Sequence, residues 1–501
     1  MKNLANKNIL VLGLGSSGLA LARWCARCGA QVTVADTRAE PPQLHALRAS
    51  VPGARFVNAE MSEALLEIAG FDWVLKSPGL APASVAGVTA AAQSHAIAFG
   101  NELSLFAQAL ADLKEDSAEH AGYAPQVIGI TGTNGKTTVT SLTGQLVQRA
   151  GKSVAVAGNI GPTLLDTLAE RMDTQTLPEV WVLELSSFQL DGITNFEPSV
   201  ATVLNISQDH LDWHGSLGAY TAAKTQVYGT TGVMLLNRDD PLVMSSLPAL
   251  VKGKQLRTCF TFGCDEPQHP GDYGIETVNG MTWLVRAAEA DETFKRKKNE
   301  EIVLHIQRLM PMEALRIRGL HNAANALAAL ALATAAGCAL APMLHGLREY
   351  RGEPHRLQSV AVIHEVEYFD DSKGTNVGAT VAALTGLGAD RKLVVILGGE
   401  GKGQDFSPLA EPVSRYARAV VLMGRDAALI RAALEGSGAL LVNAASMTQA
   451  VELATHQAQP GDAVLMSPAC ASFDMFDNYE HRARVFCEAV QAMAKEEGAM
   501  L

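Results

Sequence analysis

The residues best suited to chemistry fall in a few short strings. Thr131-Gly132-Thr133-Asn134-Gly135-Lys136-Thr137-Thr138 follows the apolar run QVIGI and precedes a helical stretch. A glycine-rich turn opening onto a helix aims backbone N–H groups and the positive end of the helix dipole at one point, which suits nucleotide phosphates. Lys136 would reach the terminal phosphates, and the Thr137 hydroxyl would serve Mg²⁺, a cation that takes oxygen ligands. The strict G-x-x-x-x-G-K-T spacing is not met, because Gly129 falls one position too early, yet the flanking strand and helix are both present. Glu184 ends the next strand-like run, WVLEL, ahead of Ser186, Ser187, Phe188 and Gln189. A carboxylate there fits a Mg²⁺ ligand or a solvated strand end. SVATVLNIS then runs into Gln208-Asp209-His210-Leu211-Asp212-Trp213-His214, which gathers imidazoles and carboxylates in one loop. Downstream, Lys224 of AAK lies on a largely apolar helical face, where a lone lysine taken by itself reads as one that snorkels to water.

Alternating strand and helix patterns carry these strings. KNILVLGLGSSGLALARWCARCGAQVTVAD reads as strand, glycine turn, helix and second strand ending at Asp36, the opening of a βαβ unit. FDWVLKSPG repeats the passage from strand to loop. The polar stretch from Asp112 to Ala124 reads as a linker or insertion, and the charged stretch from Ala287 to Glu301 as a solvated hairpin or loop. HNAANALAALALATAAG predicts a long helix that closes the second core. From GEPHRLQ onward, VEYFDDSKGTN, RKLVVILGGEGKGQDF, ARAVVLMG and DAVLMSPACASFD predict another open sheet with its loops at the C-terminal strand edge. The predicted architecture is α/β in three domains. These are a Rossmann-like unit over 1–110, a P-loop ATPase-like parallel-sheet unit over 111–345 and a second Rossmann-like unit over 346–501.

Length and composition bound the function. A chain of 501 residues, 48% of them hydrophobic and 18% charged, is large enough for several cores. Forty Lys and Arg against 52 Asp and Glu, a net charge of −12, argue against a basic surface for nucleic acid or anionic membrane. Seven irregularly spaced cysteines make no disulfide framework and suit a reducing cytoplasm. Cys25 and Cys28 form a lone C-x-x-C, better read as helix packing than as a zinc site. The apolar start is broken by GLGSSG and does not read as an export signal, and the uncharged stretch from Asn322 to Leu344 reads as a buried helix rather than a membrane span.

TGTNGKTT, ELSSFQL, QDHLDWH with AAK downstream, HNAAN, PHR, DDSKGTN and SPACASFD occur in the order found in the Mur ligases, and the chain resembles that family over essentially its whole length. The nearest likeness is to the branch that joins D-glutamate to UDP-N-acetylmuramoyl-L-alanine. The resemblance implies an ATP-dependent, acyl-phosphate-forming ligase using two Mg²⁺ ions, one held by Thr137 and Glu184, the other by His210 and Lys224. It further implies that Lys224 is carbamylated by CO₂, which would turn a cation unable to bind Mg²⁺ into an oxygen ligand. Gly132 to Thr138 would hold ATP with Asn322, Asn325, Arg356, Asp371 and Lys373. Lys136, Glu184, His210, Lys224 and Lys373 would be the catalytic set. The UDP substrate would meet Ser16, Ser17, Gly18, Asp36, Thr37, Arg38, Gly79, Asn159, Gln189 and His210. D-glutamate would meet Thr375, Lys402, Ser472 and Tyr479, the last at a position where the family commonly has Phe. A cytoplasmic monomer is expected.

Two other classes compete. Gly13-x-Gly15-x-x-Gly18 with Asp36 is also the pattern of an NAD-dependent oxidoreductase, and a nucleotide-binding regulator without turnover would need only part of this machinery. A family member adding another amino acid is a third possibility. The Asp-Asn-Pro-Arg string expected of the diaminopimelate-adding branch is absent.

Overall fold

The structure is a computed structural model that describes residues 4–115, 122–252, 254–290, 303–389 and 391–497. Three sheets follow one another along the chain. The first holds β1 (Asn8–Leu12), β2 (Gln31–Asp36), β3 (Arg55–Asn58), β4 (Trp73–Lys76) and β5 (Ala98–Asn101) in the order β3-β2-β1-β4-β5, all parallel. Its central strands β1, β2 and β4 are largely buried and carry Val, Leu and Ile, as in a sheet covered on both faces, while the edge strands β3 and β5 are partly exposed. The chain reverses its winding between β1 and β4, the crevice where open α/β sheets take ligands.

The second sheet comprises β6 (Gln126–Thr131), β7 (Val154–Gly158), β8 (Val180–Glu184), β9 (Val200–Val203), β10 (Val233–Asn237), β11 (Cys259–Phe262), β12 (Tyr273–Val278), β13 (Met281–Glu289) and β14 (Leu304–Pro311). In space they run β14-β13-β12-β11-β10-β9-β6-β8-β7. The core is parallel, as expected, and β12, β13 and β14 add an antiparallel margin at one edge. The third sheet, β15 (Gln358–Ile363), β16 (Val366–Asp370), β17 (Leu393–Gly398), β18 (Ala417–Met423), β19 (Leu440–Asn443) and β20 (Ala463–Met466), runs β15-β16-β20-β17-β18-β19 and is parallel except for β15.

The predicted helix is Leu320–Ala335, with Ala326 to Ala333 almost wholly buried against the central sheet. Alanines let it lie close to the helix Lys136–Arg149, so the uncharged stretch is core. Among the described residues no helix is long and apolar enough to cross a membrane. Asp112 to Glu115 is the last turn of the helix Glu102–Glu115, where Leu113 is buried, rather than the start of a linker. Residues 116–121 and 291–302, which include most of the predicted charged loop, lie outside the described residues. Cys25 is packed inside the helix Ser16–Arg27 and Cys28 caps its end, as ordinary helix packing predicts. One apolar cluster runs from Ile9, Trp24 and Phe106 to Leu164, Trp181 and Tyr220 and joins the first two domains. There Glu102, buried with its carboxyl pushed up to about 7 by desolvation, accepts from the Leu165 N–H at 3.1 Å.

Candidate active site

In each sheet the candidate residues hang from the C-terminal ends of three neighbouring strands. In the central sheet these are β9, β6 and β8, paired so that Ile130 faces Glu184 and Thr131 faces Val203. The Gly132–Gly135 turn, Glu184 and the loop to His210 therefore emerge side by side. Gly132 and Gly135 take positive φ (155° and 81°), and a Cβ on Gly135 would lie 2.6 Å from Asn325 Oδ1, so only glycine fits there.

Lys136 curls back, its Nζ donating to the carbonyls of Gly132 (2.9 Å) and Thr133 (2.8 Å). Burial lowers its pKa. Arg356, from the third domain, donates to Thr137 Oγ1 at 2.9 Å. Glu184 is 1% exposed; its Oε1 accepts from Asn159 Nδ2 at 2.7 Å, while Oε2 is buried with no partner. An orphaned carboxylate oxygen and a threonine hydroxyl on residues lining one cavity have the hard-oxygen character Mg²⁺ needs. Among the described residues no group of three or more His, Cys, Asp or Glu converges.

His210 sits at φ 53°, its Nε2 3.6 Å from Asp209 Oδ2 and its ring 4.7 Å from that of Phe188. Desolvation lowers its pKa, and Lys402, Lys136 and Lys224 push the same way. Lys224 does not snorkel: it is 1% exposed, donates to the Gly132 carbonyl at 2.8 Å and lies 4.5 Å over the Tyr220 ring. Burial, reinforced by Lys136 on the same carbonyl, holds its pKa well below the usual lysine range. Burial thus makes the amine easier to deprotonate than an exposed lysine. As an ammonium it could not ligate a metal.

Two connected cavities meet at the turn. One, of about 520 Å³, is lined by Lys136, Thr137, Asn159, Glu184, His210 and Thr375, with Lys373 and Tyr479 on the third-domain side. The other, of about 380 Å³, is lined by Asn322, Asn325, Arg356, Asp371 and apolar residues including Leu204 and Phe262. Asn134, Gly135, Arg356 and Lys373 border both. Asn325 Nδ2 donates to Asn322 Oδ1 at 3.2 Å. Asp371, buried and accepting from Ser467 Oγ at 2.7 Å, has its carboxyl pushed up to about 7 by desolvation. Lys373 Nζ lies 3.6 Å from the Tyr479 ring centre, and burial lowers its pKa to about 8.

The D-glutamate candidates come from the neighbouring strands β16, β20 and β17. Thr375 follows β16, Ser472 follows β20 and Lys402 follows β17. Glu400 and Ala471 exchange backbone hydrogen bonds that hold the Lys402 and Ser472 loops together. Ser472 is buried, and neither it nor Lys402 lines the 520 Å³ cavity.

The first-domain candidates emerge from β2, β1 and β4, at a distance from that cavity. Gly18 lacks a side chain because its Cβ would fall 2.0 Å from the Gly13 carbonyl. Ser16 and Ser17 open the helix Ser16–Arg27, while Thr37 and Gly79 lie in loops. Asp36 accepts four hydrogen bonds, from Leu14 N–H (2.7 Å) and from the Arg38 N–H, Nε and Nη2 (2.9, 2.9 and 2.8 Å). The Arg38 fork lowers its pKa to about 2. These four contacts fix the Asp36 carboxylate at the end of β2 and hold Arg38 beside it. Gln189 closes a capping box with Ser186, and its carbonyl accepts from Asn101 Nδ2 at 2.9 Å, tying the first domain to the second.

Sequence reasoning gave no individual role to Asn205, Glu353, His355 and Asn376, and took Asp209 only as one carboxylate of the His210 loop; all five border the cavities. Asp209 and Asn376 lay inside strings already singled out; Glu353 and His355 carried no signal beyond their proximity to Arg356.

Three family models match the chain: a Mur ligase MurD-like N-terminal domain over 7–99, a Mur ligase middle domain over 130–333 and a Mur ligase glutamate ligase domain over 355–470. Its relatives include the UDP-N-acetylmuramoylalanine--D-glutamate ligases of Albidiferax ferrireducens, 65% identical over 100% of this chain and 99% of that one, and of a Polaromonas species, 58% identical over all of both. Among solved structures, MurF of Acinetobacter baumannii aligns with TM-score 0.57 at 17% identity, over 97% of this chain and 92% of that one. UDP-N-acetylmuramate-alanine ligase MurC of Thermotoga maritima gives 0.54 at 19%, over 97% and 100%. These two share the fold. Matched domain by domain and along its full length by such relatives, the chain belongs to the Mur ligase family.

Proposed function

We propose that the chain uses ATP to join D-glutamate to UDP-N-acetylmuramoyl-L-alanine, a cytoplasmic step of peptidoglycan precursor synthesis. The observation that carries this reading is the convergence of Lys136, Thr137, Glu184, His210, Arg356, Lys373 and Thr375 on one cavity, in a chain 65% identical throughout to a relative of that name.

A carboxylate does not acylate an amine at neutral pH. An oxygen of the L-alanyl carboxylate therefore attacks the γ-phosphorus of ATP and ADP leaves. The D-glutamate nitrogen then attacks the carbonyl carbon of the acyl phosphate, loses a proton, and phosphate departs carrying the former carboxylate oxygen. Lys136 would exchange its two carbonyl partners for the transferring phosphoryl group, and Arg356 and Lys373 would stabilise charge from the other wall. Thr137 and Glu184 would hold one Mg²⁺, and His210 and a carbamate on Lys224 the second. Mg²⁺ supplies charge neutralisation between the phosphates and the attacking carboxylate. The carbamate forms when the neutral Lys224 nitrogen adds to the carbon of CO₂ and releases a proton.

Asn322, Asn325 and Asp371 would receive the nucleoside, and Thr375, Lys402, Ser472 and Tyr479 the D-glutamate. Ser16, Ser17, Gly18, Asp36, Thr37, Arg38 and Gly79 would hold the UDP group, with Asn159, Gln189 and His210 toward the reacting end. This assigns UDP-substrate, ATP and D-glutamate to 1–110, 111–345 and 346–501 in one monomer. The test is ¹⁸O transfer. With the L-alanyl carboxylate labelled, released phosphate should carry one label per amide formed, and unlabelled phosphate accompanying amide formation would overturn the mechanism.

A further inference from the structure

Asn376 follows Thr375 and caps the helix Val377–Gly388, its Oδ1 accepting from the Ala379 N–H at 2.9 Å. Any good N-cap does as much. The same side chain also leaves its own domain: Nδ2 donates to Asn134 Oδ1 at 3.0 Å and to Asp209 Oδ2 at 3.4 Å, and Asn134 Nδ2 returns a bond to Asn376 Oδ1 at 3.2 Å. Asn376 is 4% exposed. Asn134 is fixed to the central sheet in turn, its N–H donating to Asn205 Oδ1 at 2.8 Å and its carbonyl accepting from Asn205 Nδ2 at 3.1 Å. Gly378 leaves room for the contact, since a Cβ there would lie 2.9 Å from Ser207 Oγ and 3.2 Å from Asn134 Nδ2.

We infer that Asn376 is a positioning residue whose reciprocal amide pair with Asn134 docks Thr375 and Lys373 of the third domain onto the phosphate-binding turn. The inference rests on the proposed ligase reading. Two amides that satisfy each other when docked are satisfied by water when apart, so the contact can form and break each cycle without stranding a buried polar group. Adjacent Cα atoms are about 3.8 Å apart, so a displaced Asn376 displaces Thr375. The pair thus ties the geometry around D-glutamate to that of the turn that holds ATP.

The test uses two variants that keep the helix cap: Asn376→Ser, too short to reach Asn134, and Asn376→Asp, which sets a carboxylate against the Asp209 carboxylate and Asn134 Oδ1. Steady-state constants for ATP and D-glutamate are measured together with phosphate released per amide formed. In both variants the D-glutamate KM should rise roughly tenfold or more, about 1.4 kcal/mol, while the ATP KM stays within about twofold. Phosphate should exceed amide, because water competes for the acyl phosphate when the domains dock poorly. Adding Asn134→Ser to Asn376→Ser should cost less than Asn134→Ser costs alone, as for two halves of one contact. An unchanged D-glutamate KM and stoichiometry alongside a lowered Tm would reduce Asn376 to a helix cap and overturn the inference, as would full additivity. A wild type without D-glutamate-dependent phosphate release would overturn the ligase reading itself; an active wild type with unaffected variants would overturn this inference alone.

Discussion

Lys224 shows how far a single residue could be read. Spacing alone suggested a snorkelling side chain, and only the surrounding strings suggested a buried metal-facing one, because burial depends on what the other domain elements bring to the helix. The carbamate assignment predicts that Lys224→Ala lowers turnover by roughly 10²- to 10³-fold, the scale for removing one preorganised transition-state group, and that added short carboxylates restore part of it. Turnover with and without acetate checks this. Lys402, whose charge is felt at His210, is predicted to pair with a D-glutamate carboxylate. Lys402→Ala should raise the D-glutamate KM by about 30-fold to several thousandfold with little change for ATP, as initial-rate kinetics will show. Asp36 was legible as a residue but not as a clamp, since its four acceptor contacts depend on where Arg38 folds back. Its pKa is lowered on folding, so the stability it contributes is present above about pH 4 and lost as pH falls toward about 2. Asp36→Asn should destabilise by about 1–3 kcal/mol at neutral pH, and urea titrations across pH should show that deficit shrinking between pH ~4 and ~2.

Elements with strong period and punctuation could be read directly: β1, β2, β6, β8, β9, the strands β16, β17, β18 and β20, and the helix Leu320–Ala335. Exposed strands at the sheet margins could not. β19 is a four-residue edge strand with exposed ends, and β12 to β14 form an antiparallel margin whose apolar residues alternate too weakly to stand out from loop. Asp112 to Glu115 looked like linker because a surface helix's last turn is polar by necessity. The nucleotide turn yields a prediction at this scale. Gly135→Ala puts a Cβ at positive φ and 2.6 Å from Asn325 Oδ1. The backbone cost is roughly 1–2 kcal/mol, and Asn325 must leave its place in the cavity proposed for the nucleoside. Calorimetry should therefore show ATP binding weakened by more than the loss in Tm alone implies.

At the scale of the molecule, the three-domain α/β plan followed from alternating patterns and three glycine-rich turns. The meeting of domains did not, because partners such as Asn134 with Asn376, and Thr137 with Arg356, are more than 200 positions apart and signal contact only in space. Two nucleotide-type turns in one chain suit an enzyme with a nucleotide-tagged substrate and ATP better than a dehydrogenase. The most direct measurement is phosphate release from ATP in the presence of UDP-N-acetylmuramoyl-L-alanine, Mg²⁺ and a panel of amino acids, with NAD and NADP binding measured alongside. The account predicts release that depends on D-glutamate and on no other member of the panel, with no useful affinity for either nicotinamide cofactor. Release driven by a different amino acid, or tight NAD binding without any release, would contradict it.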